Sequence, residues 1–377
     1  MSMLLVGLAG AALPADAAQA VKSPKAETHL WYFDKDTRKA QKAAGRDPAT
    51  VNPLVTGSPT GLSPSQVKSV YNFPTSLTSG TGKTIAIIDA YDSTSAENDL
   101  KSFSRTFGLP NCTSSNGCFK KVNQNGAAFP LPKADTGGWR MEISLDVQWA
   151  HAIAPGAKIL LVEANSSSLD DLFAAVNYAR KNADYISMSW GAAEDTWVSY
   201  YDQFLTQPAG RSVSFFASAG DGGAVAGYPS VSPFVISVGG TSLNNIGTPL
   251  FSETGWSSSG GGCSRFESQT ADQAAFFTAN PAQAQCGSGR ATPDVSLDAD
   301  PNNGGVSVVI NNGWTTVGGT SLSAPMWAAR SAVLGATVNS TYVYGSAITY
   351  RDITSGNNGM PAGPGFDLVT GRGSWVG

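Results

Sequence analysis

Histidine is nearly absent from this 377-residue chain, with His29 and His151 the only two. A histidine-rich zinc site is thereby excluded. A serine–histidine–aspartate arrangement would have to use one of these two. Charge is scarce as well. Asp, Glu, Lys and Arg make up 14% of the residues, against roughly 25% in an average soluble domain. With a net charge of −4, no basic footprint for nucleic acid exists. No apolar run approaches the roughly 20 residues that a membrane span needs. Cysteine is limited to Cys112, Cys118, Cys263 and Cys286, with no Cys-x-x-C pair. An even number and local spacing favour bridges Cys112–Cys118 and Cys263–Cys286 over a zinc site. Such bridges imply an oxidising compartment.

What is present is small and polar. Glycine accounts for 42 residues, with Ser, Thr and Asn abundant, while 41% of the chain is hydrophobic. That rules out wholesale disorder. A surface of small neutral groups changes little in charge as pH falls, which suits work in acid. The start, MSMLLVGLAGAALPADAAQA, has a short apolar run and Ala-x-Ala sites. It reads as a signal-peptide-like segment over 1–20 that lacks the usual positive start. Residues 21–60 are richer in Lys, Arg and Asp and end in a Pro/Thr/Ser stretch, as in a short pro-segment and linker. The main domain is expected over 61–377.

That domain alternates strand and helix. TIAIIDAY (84–91), KILLVEA (158–164), YISMSWG (185–191), SVSFFASAG (212–220) and FVISVGG (234–240) read as buried strands. Ser168 is placed to cap the helical stretch LDDLFAAVNYARKN. The expected fold is α/β, a mostly parallel central sheet with helices on both faces. Sites in such sheets form at the strand carboxyl ends, where Asp89, Gly191 and Asp221 fall.

The strongest local signal is VGGTSLSAPMWAARSAVLG (317–335). Two glycines precede Thr320 and Ser321, and Pro325 is expected in the first turn of an apolar helix. Ser321 would then stand at a helix N-terminus, where free N–H groups favour an attacking serine and a developing oxyanion. A serine nucleophile needs a base. The segment WRMEISLDVQWAHAIAP holds Glu142, Asp146 and His151. On a helix the two carboxylates lie about 40° apart, and His151 about 180° from Glu142. His151 cannot join them beside one serine. The alternation Met141, Ile143, Leu145, Val147, Trp149 also fits a strand, which would hold the carboxylates ~13 Å apart. Length and the Pro155 stop favour the helix. Among apolar neighbours two such acids repel each other, and one tends to keep a proton.

GGTSLSAP, an upstream Glu-x-x-x-Asp helix, SMSWG and SAGDGG together resemble the sedolisin family, the serine-carboxyl peptidases, over about residues 62–374. The resemblance implies a subtilisin-like three-layer sandwich in which glutamate replaces the histidine base. By position, Ser321 is similar to the nucleophile, Glu142 to the base, Asp146 to its supporting acid and Asp221 to the oxyanion-hole acid. Asp89 matches an acid that extends the proton network. Trp190 and Gly191 would border the substrate cleft. The Gly/Asn/Pro loop between Asp352 and Asp367 is similar to the family's calcium loop, with Asp352, Asp367 and the carbonyls of Ile353, Gly363 and Gly365 as ligands of one structural Ca2+. The chain departs from the family in the short stretch ahead of its main domain, where a long prodomain is usual.

The expectation is a secreted, acid-acting, monomeric peptidase acting on protein or peptide substrates, with no nucleic acid or membrane partner. Endopeptidase and tripeptidyl-peptidase activity both stay open. The rival is a catalytically inactive secreted binding protein on the same fold, which has no need of the full Glu-Asp-Asp-Ser set.

Overall fold

The computed structural model describes residues 23–32, 57–135, 138–345 and 348–377. The signal-like segment 1–20 and most of 21–60 lie outside the described residues.

The centre of the molecule is a ten-stranded sheet. Along it run Tyr350–Arg351, Ser374–Trp375, Val295–Asp298, Ile236–Asn244, Ser214–Ser218, Tyr185–Met188, Thr84–Ala90, Lys158–Ala164 and Phe119–Asn123. From Ser374–Trp375 onward every neighbouring pair on this path is parallel. Tyr350–Arg351 and the off-path Ser252–Gly255 add antiparallel partners. The five apolar runs read from the sequence all form strands of this sheet.

The period of two in the strands sorts their side chains into two cores. Ile85 and Ile87 join Ile159, Leu161 and Val238 in one. Ala86, Ile88 and Ala90 join Leu160, Val162 and Phe215 in the other, under the helix Leu169–Ala179. That helix starts as expected, with the Ser168 side chain accepting from the Asp171 amide. Layers of helix, sheet and helix result, and the expected fold class is borne out.

The first face is covered by the helices Gly138–Ile153 and Thr320–Leu334. Both are buried almost all round, as helices enclosed by further layers must be. The Gln148 side chain is locked to the outer strand Val306–Ile310 by two bonds, from Nε2 to the Val309 carbonyl at 2.7 Å and from the Val309 amide to Oε1 at 2.9 Å. Trp149 Nε1 donates to the Ser307 carbonyl at 3.1 Å.

Pro325 sits one turn deeper than expected, inside the helix Thr320–Leu334. A proline cannot donate to the carbonyl four residues back, which here belongs to Ser321. That carbonyl is served instead by the Ser189 hydroxyl at 3.3 Å. The local break ties the serine turn to the strand end at Ser189.

Both expected disulfides form, Cys112–Cys118 and Cys263–Cys286. The first lies beside His151, but sulfurs bonded to each other offer no thiolate for a metal. No helix among the described residues is long and apolar enough to cross a membrane.

Candidate active site

Three strand ends and two helices meet at the carboxyl edge of the sheet. Asp89 closes Thr84–Ala90, Ser189 follows Tyr185–Met188, and Asp221 follows Ser214–Ser218. Glu142 and Asp146 come from the second and third turns of Gly138–Ile153, and Ser321 from the start of Thr320–Leu334. Gly319, at φ 104°, makes the entry turn, a conformation that glycine adopts without strain. Side chains of Ser321, Glu142, Asp146 and Asp89 are fully buried.

The acids form a chain leading away from the serine. Burial pushes Glu142 well above the carboxylate range, the like charges of Asp146 and Asp89 add to it, and the nearby Ser321 hydroxyl offsets a part. Burial pushes Asp146 up to about 8 against the hydroxyl of Ser189 and the adjoining Glu142. Asp89 is raised well above the normal range by burial, then by Asp146 and Glu163. No carboxyl oxygen of Glu142, Asp146 or Asp89 has a hydrogen-bond partner among the described residues. Anions left so bare are costly, so the resting cluster holds protons. Ser321 Oγ donates to the Ser189 carbonyl over a long 3.4 Å and lies close enough to Glu142 to favour its ionised form.

Asp221 faces the same point from the other side. Its Oδ1 accepts from the Thr320 amide at 2.9 Å and the Thr320 hydroxyl at 2.8 Å. Its Oδ2 is buried without a partner among the described residues. Burial raises this carboxyl to about 8 against those two bonds, which leaves Oδ2 the natural seat of a proton.

The cleft between these groups is filled by the chain's own N-terminal part. Glu27–Thr28 pairs antiparallel with Trp190–Ala193, Glu27 opposite Gly191 and Thr28 opposite Trp190. Trp31–Tyr32 pairs with Gly313–Gly318. Between them the His29 amide donates to the Ser189 carbonyl at 3.3 Å, and the Ser321 amide donates to the His29 carbonyl at 3.0 Å. A Cβ on Gly319 would meet both the His29 carbonyl oxygen and Asp221 Oδ2 within 2.7 Å. The His29 carbonyl therefore already accepts from one group that could hold an oxyanion, the Ser321 amide, and lies near the other, Asp221 Oδ2.

Of the expected cleft residues, Gly191 lines the cleft. Trp190 borders it by its backbone alone. Its indole lies in the core, edge-on to Phe173 at 5.6 Å, with Nε1 donating to the Ile88 carbonyl at 2.8 Å. His151 is turned away, its Nε2 2.9 Å from the Pro110 carbonyl. Two residues escaped the sequence reading. Glu163 stands beside Asp89 in register, is raised to about 8 by burial, and continues the acid chain to Lys121. Its signal was an acid inside the apolar run KILLVEA. His29 was passed over because it lies ahead of the main domain.

In the loop near the C-terminus, Asp352 Oδ2 accepts from the Gly365 amide at 2.9 Å, and Asp367 Oδ2 from the Gly363 amide at 3.0 Å. Both acids thus reach one short turn, and neither has an ion-pair partner among the described residues. Asp367 also accepts from the Val369 and Thr370 amides, and two carboxylates drawn to one glycine-rich turn are oxygen donors of the kind a hard cation takes.

Comparison with known proteins points to one family. The subtilase family (peptidase S8) matches residues 135–354. Kumamolisin from Bacillus sp. (strain MN-32) is 33% identical over 361 residues, 85% of this chain and 63% of kumamolisin. Xanthomonalisin from Xanthomonas sp. (strain T-22) is 27% identical over 377 residues, 80% of this chain and 43% of that protein. The chain therefore spans less than two thirds of the length of either relative. The solved structure of Pseudomonas sedolisin, a serine-carboxyl proteinase complexed with two molecules of pseudo-iodotyrostatin, superposes with a TM-score of 0.70 at 26% identity, covering 84% of this chain and 96% of that one. The chain belongs to the subtilase family and, within it, to the sedolisins.

Proposed function

We propose that this chain is a secreted, acid-acting serine-carboxyl peptidase, made as a zymogen whose N-terminal segment fills the cleft. The observation that carries the reading is the buried Glu142–Asp146 pair beside Ser321, in a site where the histidine of the main domain is bonded elsewhere. Ser321 Oγ attacks the scissile carbonyl carbon while Glu142 takes its proton. Asp146 and Asp89 support Glu142. The oxyanion is held by the Ser321 amide and by protonated Asp221, because an ionised Asp221 would repel it. Glu142 then returns the proton to the leaving amine. Water, activated by Glu142 in turn, hydrolyses the ester. The likeness to kumamolisin and to the Pseudomonas proteinase supports peptide bonds as the substrate, and the two disulfides support an extracellular site of action.

Glu142→Gln is expected to lower kcat/KM by roughly 10²–10⁴, the contribution of a positioned general base. His151→Gln is expected to keep most activity, since its ring serves only the Pro110 carbonyl. Paired assays of the two folded variants decide between the bases. An inactive His151→Gln beside an active Glu142→Gln would reverse the assignment.

Asp352, Asp367 and the carbonyls of Ile353, Gly363 and Gly365 would hold one Ca2+, which fastens the loop and takes no part in the chemistry. A cation bound only by the folded state adds about 2.7 kcal/mol at a hundredfold excess over its Kd. Chelation should therefore lower the melting temperature by several degrees, and calcium add-back should restore it. Superimposable melts would argue against a bound ion.

A further inference from the structure

The docked N-terminal segment shows how this site receives a side chain. We infer that the pocket for the residue on the acyl side of the scissile bond is built for histidine, that Ser218 selects it, and that His29–Leu30 is the first bond this chain cuts, in itself. The inference rests on the peptidase reading above and adds to it a side-chain preference and a processing site.

Backbone register identifies the residue. Pairing of Glu27 and Thr28 with Gly191 and Trp190, continued by the bond from the His29 amide to the Ser189 carbonyl, delivers the His29 carbonyl to the Ser321 amide. Residue 29 is then the acyl donor and Leu30 the leaving amine. This step runs from the minority of molecules in which Glu142 is ionised: the Ser321 Oγ–C bond forms and its proton passes to Glu142. The His29–Leu30 C–N bond breaks, and Glu142 gives that proton to the Leu30 nitrogen. Water then releases residues up to His29 as a free carboxyl group and restores the Ser321 hydroxyl.

The ring of His29 lies in a slot whose wall is Gly191. A Cβ there would come within 2.7 Å of the ring, so the glycine lets a flat ring lie against bare backbone. At the end of the slot the ring Nδ1 is 2.7 Å from Ser218 Oγ. The other contact of that hydroxyl is a long one, to the Met188 carbonyl at 3.4 Å. A side chain of similar size without a polar ring atom would leave Ser218 with that contact alone. Sites built wholly on a hydrogen bond reject the analogue lacking it by about 10⁴. Because Ser218 keeps a fallback, we expect roughly tenfold to hundredfold.

Burial favours the neutral imidazole, moving His29 from 6.5 to about 4. The acids on the surrounding elements are Asp221, Glu142 and Asp146, each held protonated above the acid range. The segment itself carries Lys25 and Glu27. A bound histidine must therefore shed its proton on entering. Its advantage over an uncharged residue should be complete above about pH 6.5 and shrink as pH falls toward about 4.

The test uses the purified full-length chain, brought to acid and followed by mass spectrometry, then assayed on peptides differing only at one position. The first cut should release a fragment ending at His29. Peptides with histidine there should exceed phenylalanine and leucine peptides in kcat/KM by tenfold or more near pH 6, the ratio shrinking toward pH 4. Ser218→Ala should collapse that ratio by cutting the histidine rate most. If the chain cleaves peptides but prefers phenylalanine or leucine, or first cuts itself elsewhere, the inference falls and the peptidase reading stands. If neither peptide nor chain is cut and Ser321 resists an active-serine probe, both fall.

Discussion

Ser321→Ala should reduce peptide hydrolysis by about 10⁴–10⁶, the scale set by loss of a serine nucleophile, while the protein still folds. The expectation of an intact fold comes from what Ser321 Oγ does at rest. Its bond to the Ser189 carbonyl is long, 3.4 Å, and its other neighbour, Glu142, rests protonated, so removing it forfeits little. The parts that build the turn are backbone and neighbours: Gly319 at its positive φ, the Thr320 bonds to Asp221, and the Ser189 bond to the Ser321 carbonyl. None needs the hydroxyl. The amide that donates to the His29 carbonyl also survives, so the segment should stay docked and uncut. The variant should therefore accumulate at full length, with a melting temperature within a few degrees of the parent. Wild-type turnover by the folded variant would remove Ser321 from the mechanism.

The sheet was legible because a parallel strand is apolar on both faces and announces itself as a run. IIDA and KILLVEA could hardly be anything but buried strands. The acid-bearing helix Gly138–Ile153 was legible by another route. At 100° per residue Glu142 and Asp146 share a face that His151 does not, and the structure holds His151 on the Pro110 carbonyl. The depth of Pro325 was missed because a proline after Gly-Gly-Thr-Ser reads as a first-turn residue. Only the Ser189–Ser321 bond across two distant elements makes the second turn tolerable. Glu163 was hidden inside its own strand, since adjacency to Asp89 depends on the register between strands. The cleft-filling role of Glu27–Tyr32 rests wholly on long-range pairing. Its short strands, two residues each, carry no periodicity to detect, and their partners lie more than 150 residues away.

The activity–pH profile should be bell-shaped and confined to acid, because two buried carboxyls must be in opposite states. Glu142 has to be ionised to accept the serine proton, so activity falls as pH drops and it is protonated. Asp221 has to be protonated to donate to the oxyanion, so activity falls as rising pH ionises it. With the N-terminal segment docked, burial is the largest cause holding Glu142 protonated, ahead of Asp146 and Asp89. That state suits a latent enzyme, which needs a single turnover to cut itself. Once the segment leaves, water reaches the cleft and the largest cause weakens, so Glu142 should ionise at lower pH. Like charges then separate the titrations, and the limbs belong to the cluster as a whole. The same shifts set the stability of the uncut protein. Asp146, Asp221 and Glu163 are raised to about 8, so their contribution is complete below the ordinary carboxyl range. It is lost as pH rises toward 8, and melts of Ser321→Ala should show it. Asp221→Asn isolates the alkaline limb. Its Oδ1 can keep both bonds from Thr320, and its amide nitrogen, placed where Oδ2 now stands without a partner, can donate at any pH. The alkaline limb should move upward by a unit or so even if kcat falls, while the acid limb stays in place. A parent enzyme fully active at pH 8, or an Asp221→Asn profile with an unmoved alkaline limb, would remove the protonated aspartate from the oxyanion site.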